Sequence, residues 1–258
     1  MRNWLWGAVI AGGAMFTVHA YAQDVVRIGT EADYPPFEYT AASGQLKGME
    51  IELGNQYCAV AKIQCKWVNM SFDAMIAALN AHKIDAVLSQ MGITDAREKS
   101  VSFTSPVTFN GVVVVGPKGS AITEDPATMK GKTIGVQSGT IEEVWANKTL
   151  KGIATVKSYD GQDQAFQDLQ AQRIDATVCD QPVAYDFLRK GGKAEFDYLG
   201  KPLVDPATLG SGNTAMAVRK DDTKLRDTLN AAITQVLKDG SFAKVNAEYF
   251  PFSMAPKS

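Results

Sequence analysis

Short apolar runs of strand type alternate with helical stripes through most of this 258-residue chain. Val25-Val26-Arg27-Ile28-Gly29-Thr30 opens one unit, and Lys132-Thr133-Ile134-Gly135-Val136 opens a second. Each leads through a polar turn into a helical pattern, Met49 to Ala61 in the first and Ile141 to Ala146 in the second. Two further helical stripes follow, one carrying Phe72, Met75, Ile76 and Leu79 with Ser71 as its N-cap, the other Ala165, Phe166 and Leu169. Both run into near-identical strand openings: Lys83-Ile84-Asp85-Ala86-Val87-Leu88 recurs ninety positions later as Arg173-Ile174-Asp175-Ala176-Thr177-Val178. Strand, helix, strand, given twice, predicts two α/β lobes with mostly parallel sheets flanked by helices.

The connections predict where the lobes meet. Val112 to Val115 is a continuous apolar strand, and Gly210-Ser211-Gly212-Asn213 precedes a second, Thr214 to Val218. The chain is expected to cross near residues 110 and 212, giving a first lobe of 23–110 plus 213–258, a second of 111–212, and a two-strand hinge between them. A long helix marked by Leu225, Leu229, Ile233, Val236 and Leu237, and another from Phe242 to Tyr249, pack back on the first lobe.

Composition narrows the compartment and the chemistry. Arg2, an apolar stretch from Trp4 to Val18 and the small-x-small step Ala20-Tyr21-Ala22 predict a cleaved secretory leader over residues 1–22. A net charge of −2 with mixed signs gives no electrostatic case for nucleic acid. Cys58 and Cys65, seven apart in an exported chain, predict a local disulfide, and Cys179 reads as a buried inert thiol. His19 leaves with the leader, and His82 reads as a solvated helix-end residue. A histidine-based triad or multi-histidine metal site is thereby disfavoured, and no cofactor or metal is assigned.

Ligands of open α/β sheets bind beyond the carboxyl ends of the strands. Those ends are Thr30-Glu31, Ser89-Gln90, Gln137-Ser138-Gly139-Thr140 and Cys179-Asp180, so all four are expected at one inter-lobe cleft. Its charges are expected to be Glu31, Arg97 and Asp180. Arg97 suits a carboxylate, helped by backbone groups near Gly92 and Thr140 and by the Ser89 hydroxyl. Asp180 suits an α-ammonium, and Glu31 remains for a second cation. Lysine, arginine, ornithine and protonated histidine match that charge pattern. Tyr34 and Phe72 are placed to sandwich the ligand's stem.

Gly29-Thr30-Glu31-x-x-Tyr34-Pro35-Pro36-Phe37, Gly48-Met49-Glu50-Ile51-Glu52-Leu53, Lys83-Ile84-Asp85-Ala86, Gly92-Ile93-Thr94-x-x-Arg97 and Ala217-Val218-Arg219-Lys220-Asp221-Asp222 resemble the periplasmic solute-binding proteins of polar amino acid ABC transporters. The chain is most similar to the lysine/arginine/ornithine- and histidine-binding branch. The resemblance implies a two-lobed type II periplasmic-binding-protein fold and a non-enzymatic monomer that delivers an amino acid to an inner-membrane permease. It implies ligand contacts from Glu31, Tyr34, Phe72, Ser89, Gln90, Gly92, Arg97, Thr140, Ile141 and Asp180. The branch usually carries serine at Gly92 and often at Gln90, threonine at Ile141 and aspartate at Glu31. Glutamine or an opine as ligand therefore stays open, as does a periplasmic dehydratase on the same fold with Glu31 as its acid.

Overall fold

The computed structural model describes residues 25–191 and 194–257. The leader expected at residues 1–22 lies outside them. The chain starts with β1 (Val25–Thr30) and a small antiparallel sheet of β2 (Asp33–Tyr34), β3 (Glu38–Thr40) and β4 (Leu46–Lys47), which the hydrophobic pattern does not mark. Then come α1 (Met49–Ala61), β5 (Gln64–Asn69), a 3-10 turn at Phe72–Ala74, α2 (Met75–Asn80), β6 (Ala86–Val87), α3 (Asp95–Glu98) and β7 (Ser102–Phe109). The middle of the chain forms β8 (Val112–Pro117), β9 (Thr133–Gln137), α4 (Ile141–Thr149), β10 (Thr155–Tyr159), α5 (Gln162–Gln170), β11 (Ala176–Asp180), α6 (Gln181–Arg189), β12 (Phe196–Tyr198) and α7 (Pro206–Leu209). β13 (Asn213–Val218), α8 (Thr223–Lys238) and α9 (Ser241–Tyr249) complete it.

Two five-stranded sheets share one plan. The first runs β5-β1-β6-β13-β7 and the second β10-β9-β11-β8-β12. In each, three parallel strands are followed by one antiparallel to its neighbour, β13 against β6 and β8 against β11. The chain passes between the sheets twice, at Asn110–Gly111 and at Gly210–Gly212. The Asn110 N–H donates to the Gly212 carbonyl at 3.0 Å, tying the two passages together.

The periodicity explains the helices. Met49, Leu53 and Tyr57 recur every fourth residue of α1 and are buried, as are Leu229, Ile233 and Val236 of α8. Burying each such side chain contributes about 1.5–3 kcal/mol before entropy is counted. Gly48 starts α1 at φ 126°, where an added Cβ would collide with the Phe37 carbonyl. Asp222 caps α8 by accepting from the Leu225 N–H at 3.2 Å. The Cys58–Cys65 disulfide joins α1 to β5, and Cys179 is a free, buried thiol on β11.

One local expectation fails. Ser71 precedes the 3-10 turn but caps no backbone donor; its hydroxyl donates to the Asp73 carboxylate at 2.7 Å. The carboxylate two residues on is a strong acceptor, and the serine hydroxyl turns toward it.

Candidate functional site

A cavity of about 450 Å³ lies between the sheets, and all ten residues singled out from the sequence line it. The strand-end rule accounts for the placement. Glu31 follows β1, Ser89 and Gln90 follow β6, Gln137 ends β9, and Asp180 ends β11. The two halves of the internal repeat thus deliver their strand ends to the same space.

Arg97 projects from α3, whose N-cap Thr94 accepts the Arg97 backbone N–H at 3.3 Å. Its guanidinium donates to the Gly92 carbonyl at 2.8 Å and, across the cleft, to the Gly139 carbonyl at 3.1 Å. It also lies 5.3 Å from the centre of the Phe72 ring, a favourable cation–π arrangement. Burial lowers its pKa, opposed by the carboxyls of Glu142 and Asp180.

Glycine at 92 has a steric reason. A Cβ there would lie 3.3 Å from Ile141 Cδ1 and 3.5 Å from Arg97 Nη1. Gly92 and Ile141, two of the departures from the resembled branch, therefore face each other, a small residue opposite a large one.

Asp180 is buried and accepts the Tyr34 hydroxyl at 2.8 Å, a bond that spans the cleft. Burial pushes its pKa well up, and the neighbouring Glu142 adds to the effect. Among the described residues, the donor to the Glu31 carboxylate is the Gln137 amide, which approaches both oxygens at 2.6 and 2.7 Å. Burial raises the Glu31 pKa to about 8; the Gln137 bond opposes this, and Asp33, Asp163 and Asp73 reinforce it.

The Ser89 hydroxyl, expected to help Arg97, is committed elsewhere. It donates to Glu38 at 2.5 Å and accepts the Glu31 N–H at 3.2 Å. Gln90 is held at φ 45° by its N–H donating to Glu50 at 2.7 Å. The Gln90 side-chain oxygen accepts from Asn110 at 3.0 Å and Thr108 at 3.2 Å, whereas its amide nitrogen is buried with no hydrogen-bond partner. That nitrogen is a donor in want of an acceptor. Thr140 donates to the Gln137 carbonyl at 2.7 Å and accepts the Glu143 N–H at 3.2 Å, which fixes the start of α4 at the cavity wall.

The charge inventory is larger than the sequence suggests. Beyond Glu31, Arg97 and Asp180, the lining includes the buried Glu142 in the first turn of α4, together with Asp205 and Lys257. An acid in a helix's first turn ordinarily reads as a partner of the helix dipole, so only the strand-end position of Thr140, two residues earlier, hints at Glu142. Gln137 was visible as a strand end, but its pairing with Glu31 needs the second lobe. Among the described residues no group of three or more His, Cys, Asp or Glu is arranged to hold a metal ion.

Residues 26–252 match the model of the bacterial extracellular solute-binding proteins, family 3. The chain is 36% identical over 239 residues to the lysine/arginine/ornithine-binding periplasmic protein of Escherichia coli, covering 92% of this chain and 91% of that one. It is 38% identical over 236 residues to the L-arginine-binding protein of Pseudomonas aeruginosa, covering 90% of each. Among solved structures, an ancestral arginine-binding protein bound to arginine superposes with a TM-score of 0.81 at 33% identity, covering 88% of this chain and 98% of that one. The architecture is that of the type II periplasmic binding proteins. With nearly its whole described length matched in sequence and in fold, the chain belongs to family 3 of the bacterial extracellular solute-binding proteins.

Proposed function

We propose that this protein is the substrate-binding component of an amino acid ABC importer, capturing a basic amino acid in the periplasm and presenting it to an inner-membrane permease. The observation that carries the reading is the distribution of charge around the cavity. The first lobe supplies Arg97 and Glu31, and the second supplies Asp180. Arg97 takes the ligand's α-carboxylate, with the unpartnered Gln90 amide and the backbone at Gly92 and Thr140 as further donors. Asp180 takes the α-ammonium beside Tyr34. Glu31 meets the distal cation, which shares or displaces the Gln137 amide. Phe72 and Tyr34 flank the stem, and Ile141 fills the space left by Gly92.

Relatives named for binding lysine, arginine and ornithine support the ligand class. The protein acts as an exported monomer after removal of residues 1–22, with lobes of 23–110 plus 213–258 and of 111–212. No step of this reading requires bond chemistry.

Unfolding and refolding removes any ligand carried through purification. Calorimetric titration of the refolded protein across the common amino acids should then show L-arginine or L-lysine binding tightest. Arg97→Ala should abolish binding of all of them. Tightest binding of glutamine or an acidic amino acid would refute the role given to Glu31.

A further inference from the structure

Ser89 lines the cavity beyond β6 and is bonded to Glu31, the residue given the ligand's distal cation. A serine hydroxyl has one proton and two lone pairs. The Ser89 proton goes to Glu38 Oε1 at 2.5 Å, and one lone pair takes the Glu31 N–H at 3.2 Å. What remains to Ser89 is a lone pair. It can accept from a ligand and cannot donate to one.

Glu38 stands behind that wall and not in it. It is fully buried on β3, directly opposite Tyr34 of β2 in the small antiparallel sheet. Its Oε2 has no hydrogen-bond partner among the described residues, and burial pushes its pKa well up. An acid buried and half satisfied in this way costs stability. Oε1 accepts the Ser89 proton whether Glu38 is charged or holds a proton of its own on Oε2, because a carbonyl oxygen also accepts.

We propose that Glu38 is a positioning residue for ligand specificity: by holding the Ser89 proton away from the cavity, it makes the wall beside Glu31 accept only, so that a ligand terminus that donates is selected over one that accepts. The proposal rests on the reading of the cavity as an amino acid site. An ammonium or a guanidinium only donates, and it satisfies Glu31 and Ser89 together. The urea of L-citrulline has the shape of arginine's guanidinium but carries a carbonyl oxygen, which meets Ser89 lone pair against lone pair. Without Glu38, the Ser89 hydroxyl is free to turn and donate to that oxygen.

Titration calorimetry of refolded protein with L-arginine and with L-citrulline gives the ratio of their affinities, and a double-mutant cycle assigns it. Glu38→Met replaces the carboxyl by an apolar chain of similar length. It should lower the arginine-to-citrulline ratio about tenfold, the scale of a lost hydrogen bond to a charged group. In a Ser89→Ala background, which has no hydroxyl to orient, the same substitution should leave the ratio unchanged. Any through-space effect of Glu38 on Glu31 acts in both backgrounds and drops out of the comparison. A merely structural Glu38 predicts that both ligands weaken together; an unchanged ratio in Glu38→Met, or an equal fall in both backgrounds, would overturn the proposal. If the unmutated protein bound no amino acid, the functional reading would fall and take the proposal with it. Should either variant fail to fold or to bind, neutron diffraction from D2O-exchanged crystals of the unmutated protein with L-arginine locates the Ser89 deuteron. It should lie between Ser89 and Glu38, and a deuteron directed at the ligand would overturn the proposal.

Discussion

At Glu31 a buried carboxyl meets one amide and, among the described residues, no cation, so its affinity for a proton and its affinity for a ligand compete. Burial first, then nearby acids, hold its pKa at about 8 despite the bond from Gln137. Below that value the free protein carries Glu31 mostly protonated, and a ligand cation must displace the proton. Affinity for a basic amino acid should therefore rise with pH and level off above about 8. Glu31→Gln removes this contribution. The variant should bind cationic ligands about 10- to 100-fold more weakly, the loss expected for a hydrogen bond to a charged group, and leave neutral amino acids little changed. Dissociation constants across that pH range check both statements; equal weakening of neutral and cationic ligands would remove Glu31 from the specificity argument. At this scale the sequence was informative where a residue ends a strand, as Glu31, Gln90 and Asp180 do. It was silent on the Glu31–Gln137 pairing, because this arises only when the ends of distant strands converge.

The repeated helix-to-strand step shows what a six-residue match can and cannot convey. In both copies the helix ends in a reversal with two backbone bonds. Lys83 N–H donates to Ala78 O at 2.9 Å and His82 N–H to Leu79 O at 3.1 Å; Arg173 donates to Asp168 at 2.8 Å and Gln172 to Leu169 at 3.0 Å. This is the Schellman pattern, which places one residue in the left-handed region. His82 and Gln172 occupy it, each at φ 57°. Asp85 and Asp175 then clasp the opening strand of their own sheet. Each accepts a backbone N–H through its side chain, from Arg27 at 3.0 Å and Thr133 at 2.8 Å. Each also donates its own N–H to that same residue's carbonyl. The pattern of apolar residues revealed that the step exists, whereas the reason for its aspartate lies in long-range pairing. A glycine is the natural occupant of the left-handed position. His82→Gly and Gln172→Gly should each stabilise the protein by about 0.5–1 kcal/mol, the relieved left-handed strain less the extra entropy of an unfolded glycine. A higher urea midpoint at unchanged slope would report this, and a lower midpoint would mean that the side chains contribute more than the strain costs.

Across the whole molecule, the residues that would hold the ligand also hold the lobes together. Tyr34 to Asp180, Gln137 to Glu31 and Arg97 to the Gly139 carbonyl are bonds between the two sheets' ends, and each uses a cavity residue. A ligand in the cavity must replace or bridge these contacts, so closure and capture draw on the same groups. The two-lobed fold was legible because a strand-helix-strand pattern recurs in the two halves of the chain. The closed interface was not, since it depends on approach of backbone to backbone. Gly139 marks one tight point of that approach. It sits at φ 76°, and a Cβ there would lie 2.7 Å from Asp73 Cα and 2.8 Å from Asp73 Cβ on the opposite lobe. The neighbour is mainly backbone and cannot swing aside. Gly139→Ala therefore penalises the closed form far more than an open one, apart from the left-handed strain common to both. A penalty of about 3 kcal/mol corresponds to affinity lowered by about 100-fold. Small-angle X-ray scattering separates this from loss of a ligand contact. The unmutated protein should contract on adding L-arginine, whereas Gly139→Ala should keep its ligand-free radius of gyration at the same concentration. Contraction of the variant to the same closed radius would show that the cleft closes without the Gly139–Asp73 approach.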